Sequence, residues 1–145
     1  EMTPTQRSLA HLRKWGYIAA VVEKWNPHAR IRQDAFGFGD ILAANPESCT
    51  RAARAALAKS PYDPTQAFAD IVLVQTTTDS NLSARAKKIE GLEAARSWLL
   101  AGGRIELHGW GKHGARGKRK VWCMRVLWAS LLNGRIVWDA PLKPF

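Results

Sequence analysis

Glu23, Asp34, Asp40 and the run Gln75-Thr76-Thr77 are the residues of this chain whose types suit chemistry on a phosphate. Asp40 is the sharpest of them, because it separates Phe36-Gly37-Phe38-Gly39 from the apolar Ile41-Leu42-Ala43. Asp is a poor strand former, and a charge beside a buried strand needs a partner or a metal. Mg²⁺ takes carboxylate and carbonyl oxygens while keeping much of its water shell. Such an ion activates a water and offsets charge on a pentavalent phosphorus. Asp40 and Glu23 through carboxylates, Gln75 through its amide oxygen and Thr76 through its backbone carbonyl make a candidate Mg²⁺ site, with Mn²⁺ as substitute. Plainer roles stand beside this one. Asp40 can cap a turn, and Gln75-Thr76-Thr77 can be a polar strand end bonded to the next helix.

Other constellations carry less. Gly109-Trp110-Gly111-Lys112-His113-Gly114 matches the dinucleotide pattern in letters, but a basic loop and a strand follow it instead of a helix. Gly117-Lys118 lacks the first glycine and the Ser/Thr of a phosphate-binding loop. His11, His28, His108 and His113 show no zinc spacing. His108, beside Trp110, reads more readily as a packed residue than as a general base. Cys49 and Cys123 are too few for a disulfide framework.

The elements that must position these residues follow from periodicity and punctuation. Thr3-Pro4-Thr5-Gln6 is a helix start with Thr at the N-cap, and Gly16 ends that helix. Tyr17 to Trp25 reads as one strand, with Glu23 near its end, and Asn26-Pro27 breaks it. Phe36 to Ala43 reads as a second strand, hairpin-related to the first. Residues 45–69 shift to Ala, Arg, Pro and Ser and read as an insertion, with a short helix over 50–59. Asp70 to Thr76 contains Ile71-Val72-Leu73-Val74, the run of a strand covered on both faces. Asn81 then caps one long helix reaching Ala101, with Leu82, Ala86, Ile89, Leu92, Ala95 and Leu99 on one face. On that wheel Arg85 falls within the apolar face, Lys88 at its edge and Lys87 outside it. Further strands are expected over Arg104–Trp110, Lys120–Trp128 and Arg135–Trp138, with Asn133-Gly134 as a turn. The order predicts an α/β fold, one domain over residues 1–145 with a central mixed sheet flanked by helices.

Charge narrows the partner. The 145 residues carry a formal +10, and 46% of them are apolar, including seven Trp. From Arg104 to Phe145 nine Lys/Arg face only Glu106 and Asp139. An excess of this kind suits a polyanion, because neutralised phosphates release counterions. The glycine-rich basic loop over 111–120 places Lys112, Arg116, Lys118, Arg119 and Lys120 for backbone phosphates rather than base edges. It is equally composed as a solvated hairpin loop. Trp98, Trp110, Trp122, Trp128 and Trp138 read first as core or interface anchors rather than base-stacking platforms. No apolar run has the length to cross a bilayer, and no signal peptide is visible. A cytoplasmic protein without membrane attachment is expected, and Glu1 reads as an addition ahead of a start at Met2.

Helix, strand, Gly37-Phe38-Gly39-Asp40-Ile41-Leu42, apolar strand ending in Gln75-x-Thr77, and helix together resemble the PD-(D/E)XK nuclease superfamily. The chain is most similar there to archaeal-type Holliday junction resolvases and related small phage and bacterial nuclease-like proteins. The likeness spans Thr3 to Trp110. In the family pattern an Asp leads the second strand, which Asp40 matches, and an acid-x-Lys pair ends the third. Gln75 stands at the acid position and Thr77 at the Lys position, while Gln6 is nearest to a Glu often found on the first helix. The resemblance implies a restriction-endonuclease-like fold and a metal-dependent DNA endonuclease cutting four-way junctions, with a homodimer expected in keeping with two-fold symmetry. On this reading Asp40, Glu23 and Gln75 hold Mg²⁺, and Glu23 and Asp34 supply the missing acids. Lys88 or Arg85 replaces the family lysine at the phosphate. Arg30, Arg32 and the basic loop grip branched DNA. The competing reading is a DNA-binding module whose amide replacements have ended metal binding.

Overall fold

The computed structural model describes residues 1–45 and 70–140. The insertion expected at 45–69, apart from Asn45, lies outside them, as do the helix expected at 50–59 and Cys49. Helix α1 (Pro4–Lys14) begins as its sequence requires. Thr3 Oγ1 accepts from the Gln6 N–H at 3.2 Å, and Gln6 Oε1 accepts from the Thr3 N–H at 2.9 Å. This capping box satisfies two amides that a helix end otherwise leaves open. Gly16, at φ 89°, turns the chain out of the helix.

Strands β1 (Ile18–Val21), β4 (Ile41–Ala44), β5 (Ile71–Thr78), β6 (Arg104–His113), β7 (Val121–Leu132) and β8 (Arg135–Asp139) form one sheet in the order β1-β4-β5-β6-β7-β8. All neighbours are antiparallel except β5 and β6. A parallel pair needs a crossover, and helices α2 (Leu82–Glu90) and α3 (Glu93–Leu100) provide it. Among the described residues the result is an α/β architecture with a mixed six-stranded sheet flanked by three helices. A separate hairpin pairs β2 (Lys24–Asn26) with β3 (Ile31–Gln33).

Alternation along β5 explains its unbroken apolar run. Val72 and Val74 join Leu12, Ile41 and Ala43 beneath α1. Leu73 faces the other way, into a cluster with Leu82, Ala86, Ile89, Ala95, Ile105 and Leu107. Period-2 alternation with both faces covered demands apolar residues at every position. Beyond Val74 this demand is relaxed in favour of Gln75, Thr76 and Thr77, which are nonetheless buried.

Several boundaries differ from the sequence expectation. The single strand expected over Tyr17–Trp25 is two, because the chain leaves the sheet after Val21 and pairs Lys24 with Gln33. Asn26 drives that change: its Oδ1 accepts from the N–H groups of His28 and Ala29 and closes the hairpin turn. Phe36-Gly37-Phe38-Gly39 is a turn rather than the start of a strand, with Phe36 and Gly37 at positive φ. The long helix is divided at Gly91-Leu92, where Leu92 adopts ψ 122° and starts α3. Asn81 precedes α2 without a side-chain capping bond. β6 continues to His113, so the exposed basic loop starts at Gly114. The Asn133-Gly134 turn is as expected, with φ 51° and 75° joining β7 to β8.

Candidate metal centre

Asp40 is delivered by its glycine turn. The Asp40 N–H donates to the Val74 carbonyl at 2.8 Å, which sets Asp40 opposite Gln75 at the end of the β4–β5 ladder. Gly39 is required there, because a Cβ at that position would lie 2.5 Å from Leu73 Cδ1. Asp40 Oδ2 then accepts from the Thr76 N–H at 2.7 Å and from Thr76 Oγ1 at 3.1 Å. With its proton committed to Asp40, Thr76 Oγ1 accepts from Thr5 Oγ1 at 2.9 Å, tying α1 to the same carboxylate.

The hairpin supplies the other acids. Glu23 immediately precedes β2 and Asp34 immediately follows β3, so the two flank its base. Arg32 donates to Glu23 Oε1 at 2.9 Å and fixes that side chain. The Ala35 N–H bonds to the Gly39 carbonyl, and the Val22 N–H to the Asp40 carbonyl, both at 2.8 Å. These bonds seat the hairpin base on the start of β4. As a result Glu23, Asp34 and Asp40 each offer a carboxylate oxygen within 4.8 Å of the others. They line a cleft of about 250 Å³ together with Pro4, Thr5, Gln75, Thr76 and Arg85.

Gln75 bridges two of the acids. Its Nε2 donates to Asp34 Oδ2 at 3.1 Å and lies 3.4 Å from Asp40 Oδ2. Its Oε1 is buried and has no hydrogen-bond partner among the described residues. An unpaired buried amide oxygen carries a desolvation cost of about 1–3 kcal/mol, and a cation among the acids is a natural partner for it. Burial, chiefly, together with the charge of Asp34, raises the Asp40 pKa from 3.8 to about 6, against the opposing bond from the Thr76 amide. The residues fit a hard divalent ion such as Mg²⁺ or Mn²⁺. They supply oxygen donors and excess negative charge, and among the described residues no Cys or His joins the group.

Of the expected site residues, the cleft gathers Asp40, Glu23, Asp34, Gln75, Thr76 and Arg85. Thr76 enters differently from expectation: its N–H and hydroxyl orient Asp40. Lys88 is not brought in. It is exposed on α2 and absent from the cleft lining, whereas Arg85, one turn earlier, points there. Thr77 is buried in β5 and brings no charge to the cleft. Arg32 is engaged with Glu23, and Arg30 sits at the exposed hairpin turn with φ 53°. Lys112, Arg116, Lys118, Arg119 and Lys120 are all exposed. Gln75 aligns with Leu107 in β6, so Lys112 stands about 17 Å farther along that strand. Thr5 and Pro4 were not legible as site residues, since nothing in a helix start announces that it faces a strand end.

A second set of polar residues occupies the α1 side of β5 and β6. Arg104 bonds to Asp70, and to Glu106 Oε2 at 2.9 Å. Tyr17 donates to Asp70 Oδ2 at 2.9 Å. His108 lies between Glu106 Oε1 and Ser8 Oγ, at 2.9 Å from each. Ser8 Oγ accepts from Trp110 Nε1 at 2.8 Å and also bonds to His108 Nδ1, while His108 Nε2 bonds to Glu106. This acid–histidine–serine array has the roles of a nucleophile relay, but Ser8 and His108 are both 0% exposed. It has no access to substrate and serves packing, as the plainer reading of His108 implies.

Comparison with protein-family models, with curated proteins and with solved structures yields no match.

Proposed function

We propose that the chain is a metal-dependent DNA endonuclease of restriction-endonuclease-like fold, acting on branched DNA such as a four-way junction. One observation carries this reading: Glu23, Asp34 and Asp40 converge within 4.8 Å in a cleft also lined by Gln75, whose buried Oε1 has no partner among the described residues. Asp40, held by Thr76, and Glu23, held by Arg32, are the fixed ligands, and Asp34 completes the set. Rotation of the Gln75 amide exchanges Nε2 for Oε1 and turns that oxygen to the cation. A bound Mg²⁺ would supply an activated water and neutralise charge on the phosphate. Arg85 is the cation of this chain placed to bind a non-bridging phosphate oxygen, the role expected of Lys88 or Arg85. Lys112 at the end of β6 and the basic loop that follows it to Lys120 reach phosphates farther along a DNA arm. Cutting both strands of a junction calls for two such clefts, hence a two-fold dimer.

Gln75 also favours a second reading. Its amide protons already bridge Asp34 and Asp40, which relieves their repulsion without a cation. On that reading the chain binds DNA and does not cut it. The experiment that separates the two is a Mg²⁺ titration of cleavage on four-way junction, duplex and single strand. The wild type is expected to cut, and Asp40→Ala to lose at least about 10³-fold in rate, as befits loss of a metal ligand. Equal inactivity of the two proteins, with DNA affinity retained, would replace the endonuclease by the binding module.

A further inference from the structure

The hairpin that carries Glu23 and Asp34 at its base carries an unpaired aromatic on its arm. Trp25 is 60% exposed and makes no ring or hydrogen-bond contact among the described residues. A lone exposed aromatic is common on a protein surface, and what distinguishes Trp25 is its setting. The arm around it is cationic: Lys24, Arg30 and Arg32 lie between the two acids, and no acid occurs from Lys24 to Gln33. Trp25 pairs directly with Arg32 across the hairpin, so both side chains share a face. Glu23, two residues before Trp25, belongs to that same face by alternation. Arg32 confirms the placement by bonding to Glu23 at 2.9 Å.

A two-stranded hairpin is marginal alone, yet this one is held at both ends. Asn26 closes its turn through His28 and Ala29, and Arg32–Glu23 with the Ala35–Gly39 bridge fixes its base. Trp25 is therefore displayed on an ordered arm, about 6.5–7 Å along the strand from Glu23. That is close to the span of one nucleotide.

We propose that Trp25 is a stacking platform for an unpaired base, one nucleotide away from the phosphate held in the acidic cleft. The substrate class is thereby DNA with an unstacked nucleotide beside the cut, such as a branch point, a flap or a single strand. This rests on the reading of the cleft as the phosphodiester site. Aromatic stacking suits such a base because every base presents a π-face, and a base within a duplex is already stacked on its neighbours. Arg30 and Lys24 supply the accompanying phosphate contacts, and these carry no sequence preference.

The test is binding without cleavage, by fluorescence anisotropy in EDTA. The probes are a labelled perfect duplex and the same duplex bearing one unpaired nucleotide, with wild type, Trp25→Ala and Trp25→Phe. Trp25→Ala is expected to weaken binding to the unpaired-nucleotide duplex by about 10- to 100-fold, the usual worth of one stacked base. Perfect-duplex binding should stay within about 2-fold, and Trp25→Phe should retain most of the preference. Equal weakening on both probes, or none on either, overturns the proposal. Because no divalent ion is present, the result stands whether or not the cleft cuts. A wild type that cleaves junctions with Mg²⁺ while Trp25→Ala binds both probes normally would retain the nuclease and remove the platform.

Discussion

Two groups of carboxylates lie along β5 and are handled in opposite ways. Asp70, just before the strand, and Glu106, on the neighbouring strand, share Arg104 as a common partner. Glu23, Asp34 and Asp40 gather beside Gln75 farther along the same strand, and among the described residues only Glu23 has a cationic partner, the exposed Arg32. The pKa directions follow the partners. Burial would raise Glu106, but its bond to His108 and the charges of His108 and Arg104 more than offset this and lower it. Asp40 receives no cation, and burial with Asp34 raises it to about 6. One cluster is complete within the chain. The other, among the described residues, sets three acids against one exposed cation, and the proposed metal site rests on that imbalance.

The most severe way to break this contrast is to open the completed cluster. Arg104→Ala leaves Asp70 and Glu106 buried without their cation, and should cost about 3–5 kcal/mol of stability. Urea denaturation at pH 7 measures it, and a loss below about 1 kcal/mol would mean that the two acids are not held by Arg104. The same variant should not alter Mg²⁺ affinity, because Arg104 does not line the cleft.

Neutralising the incomplete cluster should act in the opposite direction. Asp40→Asn keeps an acceptor for Thr76 and removes the repulsion with Asp34. It should stabilise the metal-free protein by about 1–3 kcal/mol, given 1.36 kcal/mol for each pKa unit. Mg²⁺ should then raise the melting temperature of the wild type and not that of the variant. A metal-free Asp40→Asn that is less stable than wild type would show that the acids are not strained against one another.

The two clusters also predict opposite pH responses. The raised Asp40 pKa means that the folded state holds this proton more tightly than the unfolded chain. Its favourable contribution is therefore full below 3.8 and is lost as the pH rises to about 6 and beyond. Glu106 is lowered from 4.5, so its contribution is present above that value and is lost as the pH falls through the depressed one. In metal-free buffer the advantage of Asp40→Asn over wild type should grow between pH 3.8 and about 6 and then level off. The penalty of Glu106→Gln should instead shrink on acidification below 4.5. Denaturant midpoints across this range resolve both, and parallel curves for the two variants would erase the distinction.

What could be read in advance divides along the same physical line. The capping box at Thr3 and Gln6, the covered strand at Ile71–Val74 and the Asn133-Gly134 turn depend on near neighbours, and local rules reach them. Asp40 was legible because an acid between a glycine turn and an apolar run is locally inconsistent. Glu23 joined it from the expectation of adjacent strands, although the element that delivers it is a separate hairpin. That hairpin was hidden because Tyr17–Val22 and Trp25 look like one apolar strand. Only the pairing of Lys24 with Gln33 shows the break. Arg85 and Lys88 lie on one helix ahead of Gly91, and of the two Arg85 lines the cleft. Asp70, Arg104 and Glu106 gave no local signal, because their partnership joins residues 34 apart in sequence.

The smallest effect tests whether the buried relay is as inert as its burial implies. Ser8→Ala removes a hydroxyl that accepts from Trp110 and bonds to His108. It leaves the Trp110 Nε1–H and His108 Nδ1 to find other partners in a site from which water is excluded. Loss of such bonds should cost about 1–2 kcal/mol, close to the mean for any substitution. The cleft shares no residue with this array, so Mg²⁺ affinity and any Mg²⁺-dependent cleavage should be unchanged. Cleavage that vanished in Ser8→Ala while stability fell by no more than this amount would move the chemistry from the acids to the serine. Cleavage that followed Asp40 and ignored Ser8 would place it at the cluster that the chain leaves incomplete.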